Sequence, residues 1–220
     1  MKRLTALLID DHALVRQGCR QALEAMNVDV VAEADNGEQG FQEFLSHRPR
    51  LVVMDLSMAA GGGIEAIRRI RGEAPDARIL VLSMHDEPAI AARALNAGAL
   101  GYVTKTARAQ DFVDAIKHIA DGEHYLSHDI ALALAISSSG RKGDPLSSLT
   151  DREFEIFQML VDGQTTAEIS ANLGLSPKSV TNIHLRIKHK LNTRSLADLV
   201  RLAISTGAGK RNILPNAPQE

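Results

Sequence analysis

The sequence predicts a doubly wound α/β domain of the (βα)5 kind, followed by an all-α domain of four helices that carries a helix-turn-helix. Three observations lead there. Over the first 120 residues short unbroken apolar runs alternate with amphipathic segments, the pattern of strands buried on both faces of a parallel sheet. A stretch rich in Ser, Gly and Pro, "AISSSGRKGDPLSS" at 135–148, then interrupts the pattern. Beyond it no strand-like run occurs, only segments with helix-start signals.

The elements follow in order. Apolar runs at 4–9, 28–32, 51–54, 79–82 and 100–103 read as five strands, with helical patterns after them at 13–26, 37–46, 63–72, 87–96 and 109–120. Right-handed crossovers put such helices on both faces of the sheet. A helical pattern at 128–136 leads into the interruption, so 3–120 is the first domain and 121–148 a linker with a helical start. In the second domain, 149–206, Thr150 with Glu153 and Thr165 with Glu168 each form a T-x-x-E capping box. Ser176 ahead of Pro177 sets an N-cap before a proline at the first helical position. A fourth helix follows "NTRS" over about 195–205, and 207–220 lacks any pattern and is expected to be disordered.

Composition narrows the function. The 220 residues are 45% hydrophobic and 24% charged, ordinary for a globular protein. No apolar run is long enough to cross a membrane, and the start turns acidic too early for a signal peptide. Cys19 is the single cysteine, which excludes an internal disulfide framework and suits a reducing cytoplasm. With 3% aromatics and no Trp, stacking platforms for single-stranded nucleic acid are not expected. The net charge of −2 hides an asymmetry: 14 Lys/Arg against 19 Asp/Glu up to residue 140, and 11 against 8 after it. Two bodies with different partners are implied.

Reactive groups in an open parallel sheet gather at the carboxyl ends of its strands. There stand Asp10 and Asp11 after strand 1, Asp55 after strand 3, Ser83 ending strand 4, and Thr104-Lys105 after strand 5. A lone strand-end Asp is usually a helix cap, and a lone Lys usually a surface residue. Together they place three carboxylates with a hydroxyl and an ammonium. Carboxylates so close call for a hard divalent cation such as Mg²⁺, and the set suits transfer of a phosphoryl group to a carboxylate. The run "VVMDLSMAAGGGIE" (52–65) is not a nucleotide loop, since it lacks both the Gly-Lys-Ser/Thr ending and the G-x-G-x-x-G spacing.

The segments "LLIDDHALVRQG", "LVVMDLSM", "ILVLSMHD" and "GALGYVTK" resemble the receiver domain of bacterial response regulators over about residues 3–120. The resemblance implies Asp55 as phosphoacceptor. It implies Asp11, Asp55 and the carbonyl of Ser57 as Mg²⁺ ligands, with Asp10 helping through water. Ser83 and Lys105 would contact the phosphoryl group, and Tyr102 would be the aromatic switch residue. One departure is Ala59, where such receivers commonly have proline; with Gly61 to Gly63 following, the loop 57–63 is expected to be unusually mobile.

In the second domain, helix 165–173, a turn at Gly174-Leu175-Ser176 and helix 177–191 have helix-turn-helix spacing. Val180, His184 or Ile183, Ile187 and Leu191 form the buried stripe of the last helix. Thr181, Asn182, Arg186, His189 and Lys190 are then outward candidates, with Lys178 near its start. No acid stands between Glu168 and Asp198, whereas a merely solvated face mixes signs, so this helix suits a major groove. L-T-x-R-E at 149–153, Gly163, A-E-I at 167–169 and the S-x-x-S-V…I-x-x-K-L run of 176–191 resemble the LuxR-type DNA-binding domain, in which a lysine is frequent where Thr181 stands.

Joined in this order, the two resemblances imply the NarL/FixJ class of transcriptional regulators. The expectation is a cytoplasmic, two-component regulator: a histidine kinase phosphorylates Asp55 with Mg²⁺, and homodimers then bind double-stranded DNA. Enzymatic turnover beyond slow self-phosphorylation and self-dephosphorylation is not expected. Two alternatives remain: a constitutive DNA-binding regulator whose receiver acts without phosphorylation, and an aspartyl-phosphate phosphatase. The second is disfavoured because such phosphatases commonly place an acid two residues after the nucleophile, where this chain has Ser57.

Overall fold

The computed structural model describes residues 3–58, 62–138 and 145–208. Its first domain is built from β1 (Thr5–Ile9), α1 (Ala13–Ala25), β2 (Asp29–Ala34), α2 (Gly37–His47), β3 (Leu51–Met54), α3 (Gly63–Glu73), β4 (Arg78–Ser83), α4 (Pro88–Asn96), β5 (Gly101–Thr104) and α5 (Ala109–Asp121). The strands form one parallel sheet in the order β2-β1-β3-β4-β5, extended at its edge by β6 (Tyr125–Leu126). Strand residues alternate between two apolar layers. Leu7, Ile9, Val52, Met54, Ile79 and Val81 face α2, α3 and α4, while Ala6, Leu8, Leu51, Val53, Leu80 and Leu82 face α1 and α5. Burial on both faces is why each strand reads as a continuous apolar run rather than an alternating one.

The segment expected to be linker from residue 121 opens with structure. β6 pairs with β5, with Gly101 opposite Tyr125 and Tyr102 opposite Leu126. Two residues are too few to stand out as an apolar run. α6 (His128–Ser138) then packs on α4 and buries Ile130 in the first domain's core.

After a 3₁₀ turn (Pro145–Ser148) come α7 (Asp151–Val161), α8 (Thr166–Leu173), α9 (Pro177–Lys190) and α10 (Leu196–Thr206). Both expected capping boxes form. Thr150 and Thr165 each accept the backbone N–H of the glutamate three residues on, and that glutamate accepts the threonine N–H. Ser195 and Asp198 make a third box at α10. Gly174, at φ +61°, closes α8 in the left-handed region and sets the turn into α9. On α9, Ile183 is buried beside Val180 and Ile187, and His184 is half-buried. At the start of the segment expected to be tail, Gly207 caps α10 at φ +70° and Ala208 is 4% exposed. The remainder, 209–220, lies outside the described residues, as do 139–144 of the Ser/Gly-rich stretch.

The two domains touch through α7. Asp151 takes Arg93 at 3.1 Å and Arg68 at 2.7 Å, and Glu155 accepts the backbone N–H of Gly62 at 2.9 Å. Arg93 also donates to the carbonyls of Leu146 and Leu149 and lies 4.1 Å over the Phe154 ring. Ile90 joins the helical domain's core, with Leu56 and Ala89 packed against it.

Candidate phosphoryl-transfer site and nucleic-acid face

The chain order of the sheet reverses at β1/β3, the place where open α/β sheets bind their ligands at the carboxyl ends of the strands. Asp10 and Asp11 follow β1, Asp55 follows β3, Ser83 ends β4 and Lys105 follows β5. Asp55 is buried, and its Oδ1 accepts the N–H of Ser57 at 2.9 Å. Lys105 Nζ bridges two carboxylates, 2.7 Å from Asp55 Oδ2 and 2.7 Å from Asp10 Oδ2. Ser83 is buried, its Oγ 3.3 Å from Ser57 Oγ, so Ser57 brings its hydroxyl as well as its backbone to the site. His12, which no motif singles out in the sequence, lies with Nδ1 2.7 Å from Asp11 Oδ1 and donates its backbone N–H to Asp10.

Electrostatics explain how such a cluster persists. Burial pushes the Asp55 carboxyl above the usual carboxylate range, and the hydrogen bonds from Lys105 and Ser57 oppose that rise. Burial alone would lower the Lys105 ammonium, but its hydrogen bonds to Asp10 and Asp55 outweigh it and hold the group above its ordinary value. Lys105 therefore stays charged between its two partners. Asp10 and Asp55 share the Lys105 ammonium, and ligand atoms of Asp10, Asp11, His12 and Asp55 lie within 4.8 Å of one another. An oxygen-rich, negatively biased cluster of that span fits a hard divalent cation.

Tyr102 on β5 is fully buried and donates its hydroxyl to the His85 carbonyl at 2.9 Å, while the His85 N–H reaches Ser83 Oγ at 3.2 Å. A continuous path thus joins Ser83 to the ring through the β4–α4 loop. Ala59, the residue at the proline position, and the neighbours expected to loosen the loop, 60 and 61, lie outside the described residues. Gly63 begins α3 against the backbone of Asp55 and Leu56, where a Cβ would come within 2.8 Å of the Asp55 carbonyl. That packing requires glycine.

On α9, Lys178, Thr181, Asn182, Arg186 and His189 are exposed, and Thr181 Oγ1 donates back to the Pro177 carbonyl at 3.0 Å. Lys190 is exposed as expected, and it also has a partner in the helical domain. Its ammonium sits 2.6 Å from the Glu153 carboxylate, which is 6% exposed, and donates to the Ser148 carbonyl. A buried carboxylate on α7 needs a counter-charge, and Lys190 supplies it. The pairing joins residues 37 apart in sequence, which helical spacing alone could not reveal. Leu185, which neither charge nor motif singles out in the sequence, stands out from the same helix with 59% exposure.

A parallel sheet with an acidic crevice, joined to a capped helix-turn-helix domain, defines a receiver linked to a DNA-binding module. Residues 6–117 match the response regulator receiver domain family, and residues 147–203 match the luxR family of bacterial regulatory proteins. The chain belongs to the two-component response regulators of the NarL/FixJ class. It is similar to the response regulator UvrY of Escherichia coli, at 39% identity over 207 residues, covering 93% of this chain and 95% of that one. It is similar to the response regulator GacA of Pseudomonas aeruginosa, at 35% identity, covering 93% and 97%. Among solved structures, a LuxR-family response regulator from Aurantimonas sp. matches 63% of this chain and 99% of its own, at TM-score 0.60 and 40% identity. RcsB of Salmonella enterica serovar Typhimurium, bound to promoter rprA with the phosphomimetic BeF3⁻, matches 92% and 99%, at TM-score 0.64 and 27% identity. No helix among the described residues is long and apolar enough to cross a membrane.

Proposed function

We propose that Asp55 is the phosphoacceptor through which a sensor histidine kinase controls DNA binding by the helical domain. One observation carries the reading: the Asp55 carboxylate is buried at the carboxyl end of β3 with Lys105 on one oxygen and the Ser57 N–H on the other. An Asp55 oxygen attacks the phosphorus of a phosphohistidine; an O–P bond forms, the N–P bond breaks, and the leaving imidazole takes a proton. Lys105 holds positive charge where the phosphoryl oxygens gather, and the Ser83 hydroxyl donates to one of them. Asp10, Asp11 and Asp55, with the Ser57 carbonyl, would hold Mg²⁺, which when bound neutralises charge between acceptor and phosphoryl oxygens. When Ser83 shifts toward the phosphoryl group, the β4–α4 loop and Tyr102 follow, and the populations of the α4 surface change.

Lys178, Thr181, Asn182, Arg186 and His189 present the recognition face to the major groove, Arg186 and Lys178 supplying phosphate contacts. Lys190 stands exposed on the same helix and belongs to this set, while its ammonium also pairs with Glu153. The chain works in the cytoplasm, as a homodimer on paired half-sites when activated, and its only turnover is slow self-phosphorylation and self-dephosphorylation. RcsB, a structural neighbour, has been seen on promoter DNA in the presence of a phosphomimetic, which supports a DNA-binding role for the phosphorylated form here. The test is labelling with a phosphohistidine donor or acetyl phosphate and Mg²⁺. Wild type is expected to take up label and Asp55→Asn to take up none; equal labelling of the two would overturn the acceptor assignment.

A further inference from the structure

We propose that Leu185 reads thymine methyl groups in the major groove, and so sets part of the operator preference. The inference rests on the DNA-binding reading above and deepens it. Leu185 is one of seven large hydrophobic side chains left exposed among the described residues, and the one of them that stands on α9. Its helix buries Val180, Ile183 and Ile187 on the opposite side, so Leu185 takes no part in the core. It lies three residues after Asn182, beside Arg186 and four before His189, all of them exposed. The stretch from 169 to 197 contains no acid.

That setting selects the partner. An apolar surface for another protein is normally broad, and the flanks of Leu185 are polar or cationic. A cationic, acid-free helix face is drawn to the phosphates of a duplex. In the major groove thymine is the base that offers an apolar group, its C5 methyl, and an aliphatic side chain distinguishes it from cytosine by contact. Asn182, one turn earlier, has the amide geometry that pairs with adenine N6 and N7. The two side chains together favour an A·T-containing step under the middle of α9.

The experiment takes the full chain with Mg²⁺ and beryllofluoride and selects duplexes from a random library. Each thymine of the selected site is then replaced by deoxyuridine, which removes only the methyl group. Wild type is expected to bind at least one such duplex about fourfold more weakly, the factor equivalent to one buried methyl-sized group. Leu185→Ala should bind the thymine and uracil forms equally, with unchanged helical circular dichroism because the residue is outside the core. Selection of no duplex at all would overturn the DNA-binding reading and this inference with it. Selection that succeeds, with wild type indifferent to every uracil or Leu185→Ala as sensitive as wild type, would overturn the role of Leu185 alone.

Discussion

Lys105 carries the largest electrostatic load of any single side chain in the crevice, since its ammonium meets both Asp10 and Asp55 at 2.7 Å with 6% of the side chain exposed. Removing one partner of a buried ion cluster leaves the others uncompensated, at a cost of about 3–5 kcal/mol. Lys105→Met is therefore expected to lower the denaturant midpoint in metal-free buffer, and Mg²⁺ should restore more stability to the variant than it adds to wild type. Chemical denaturation with and without Mg²⁺ measures this, and an equal response of both proteins would refute it. At this scale the sequence was most legible where chemistry collects at strand ends: the structure brings together Asp10, Asp11, Asp55, Ser57, Ser83 and Lys105. It was least legible where a side chain's partner lies far along the chain. Lys190 has the helical spacing of an outward residue, and only the fold shows that Glu153 claims it.

The elements of the helical domain owe their ends to side-chain caps, which is why their starts were readable from T-x-x-E and Ser-Pro pairs. Hydrogen bonds from the backbone N–H and hydroxyl of Thr165 hold Glu168 below its ordinary value of 4.5, and those from Ser195 and Arg194 do the same for Asp198. A carboxylate depressed by folding stabilises the fold in full above its unfolded value, and that contribution is lost as the pH falls through the lower folded value. The helical domain should accordingly lose stability on acidification below pH about 4.5, the unperturbed glutamate range. Urea titrations of wild type and Glu168→Gln at pH 7 and pH 3.5 check the sign: the variant should lose less between the two. At neutral pH, Thr165→Ala is expected to cost about 1 kcal/mol through the lost cap. The short edge strand β6 went unread because two residues show no periodicity, and its pairing with β5 is decided by tertiary contact.

Across the whole molecule, α7 holds the first domain through Arg68, Arg93 and the Gly62 N–H, while the exposed side chains of α9 remain free of that contact. Truncating one side of a buried charge pair at an interface costs about 2–5 kcal/mol. Arg93→Ala is thus expected to shift the domains toward separation, read as a larger radius of gyration by small-angle scattering and as diverging tumbling times of the two domains by NMR. Unchanged values would show that apolar packing around Ile90 and Phe154 suffices. None of this grip was legible beforehand, because Arg68, Arg93, Asp151 and Glu155 read singly as ordinary surface charges. The chain runs without a break from α6 to the 3₁₀ turn, so a released helical domain never diffuses away. A short tether keeps its effective concentration near the millimolar range, and the grip need only compete with that local supply rather than with bulk dilution. Inverting a 1:99 population takes about 5.5 kcal/mol, above the roughly 2–5 kcal/mol that one severed ion pair supplies. An event at either end of the Asp151–Arg93 contact therefore supplies a large part of what domain separation requires, and the Gly62–Glu155 hydrogen bond and the packing at Ile90 hold the rest.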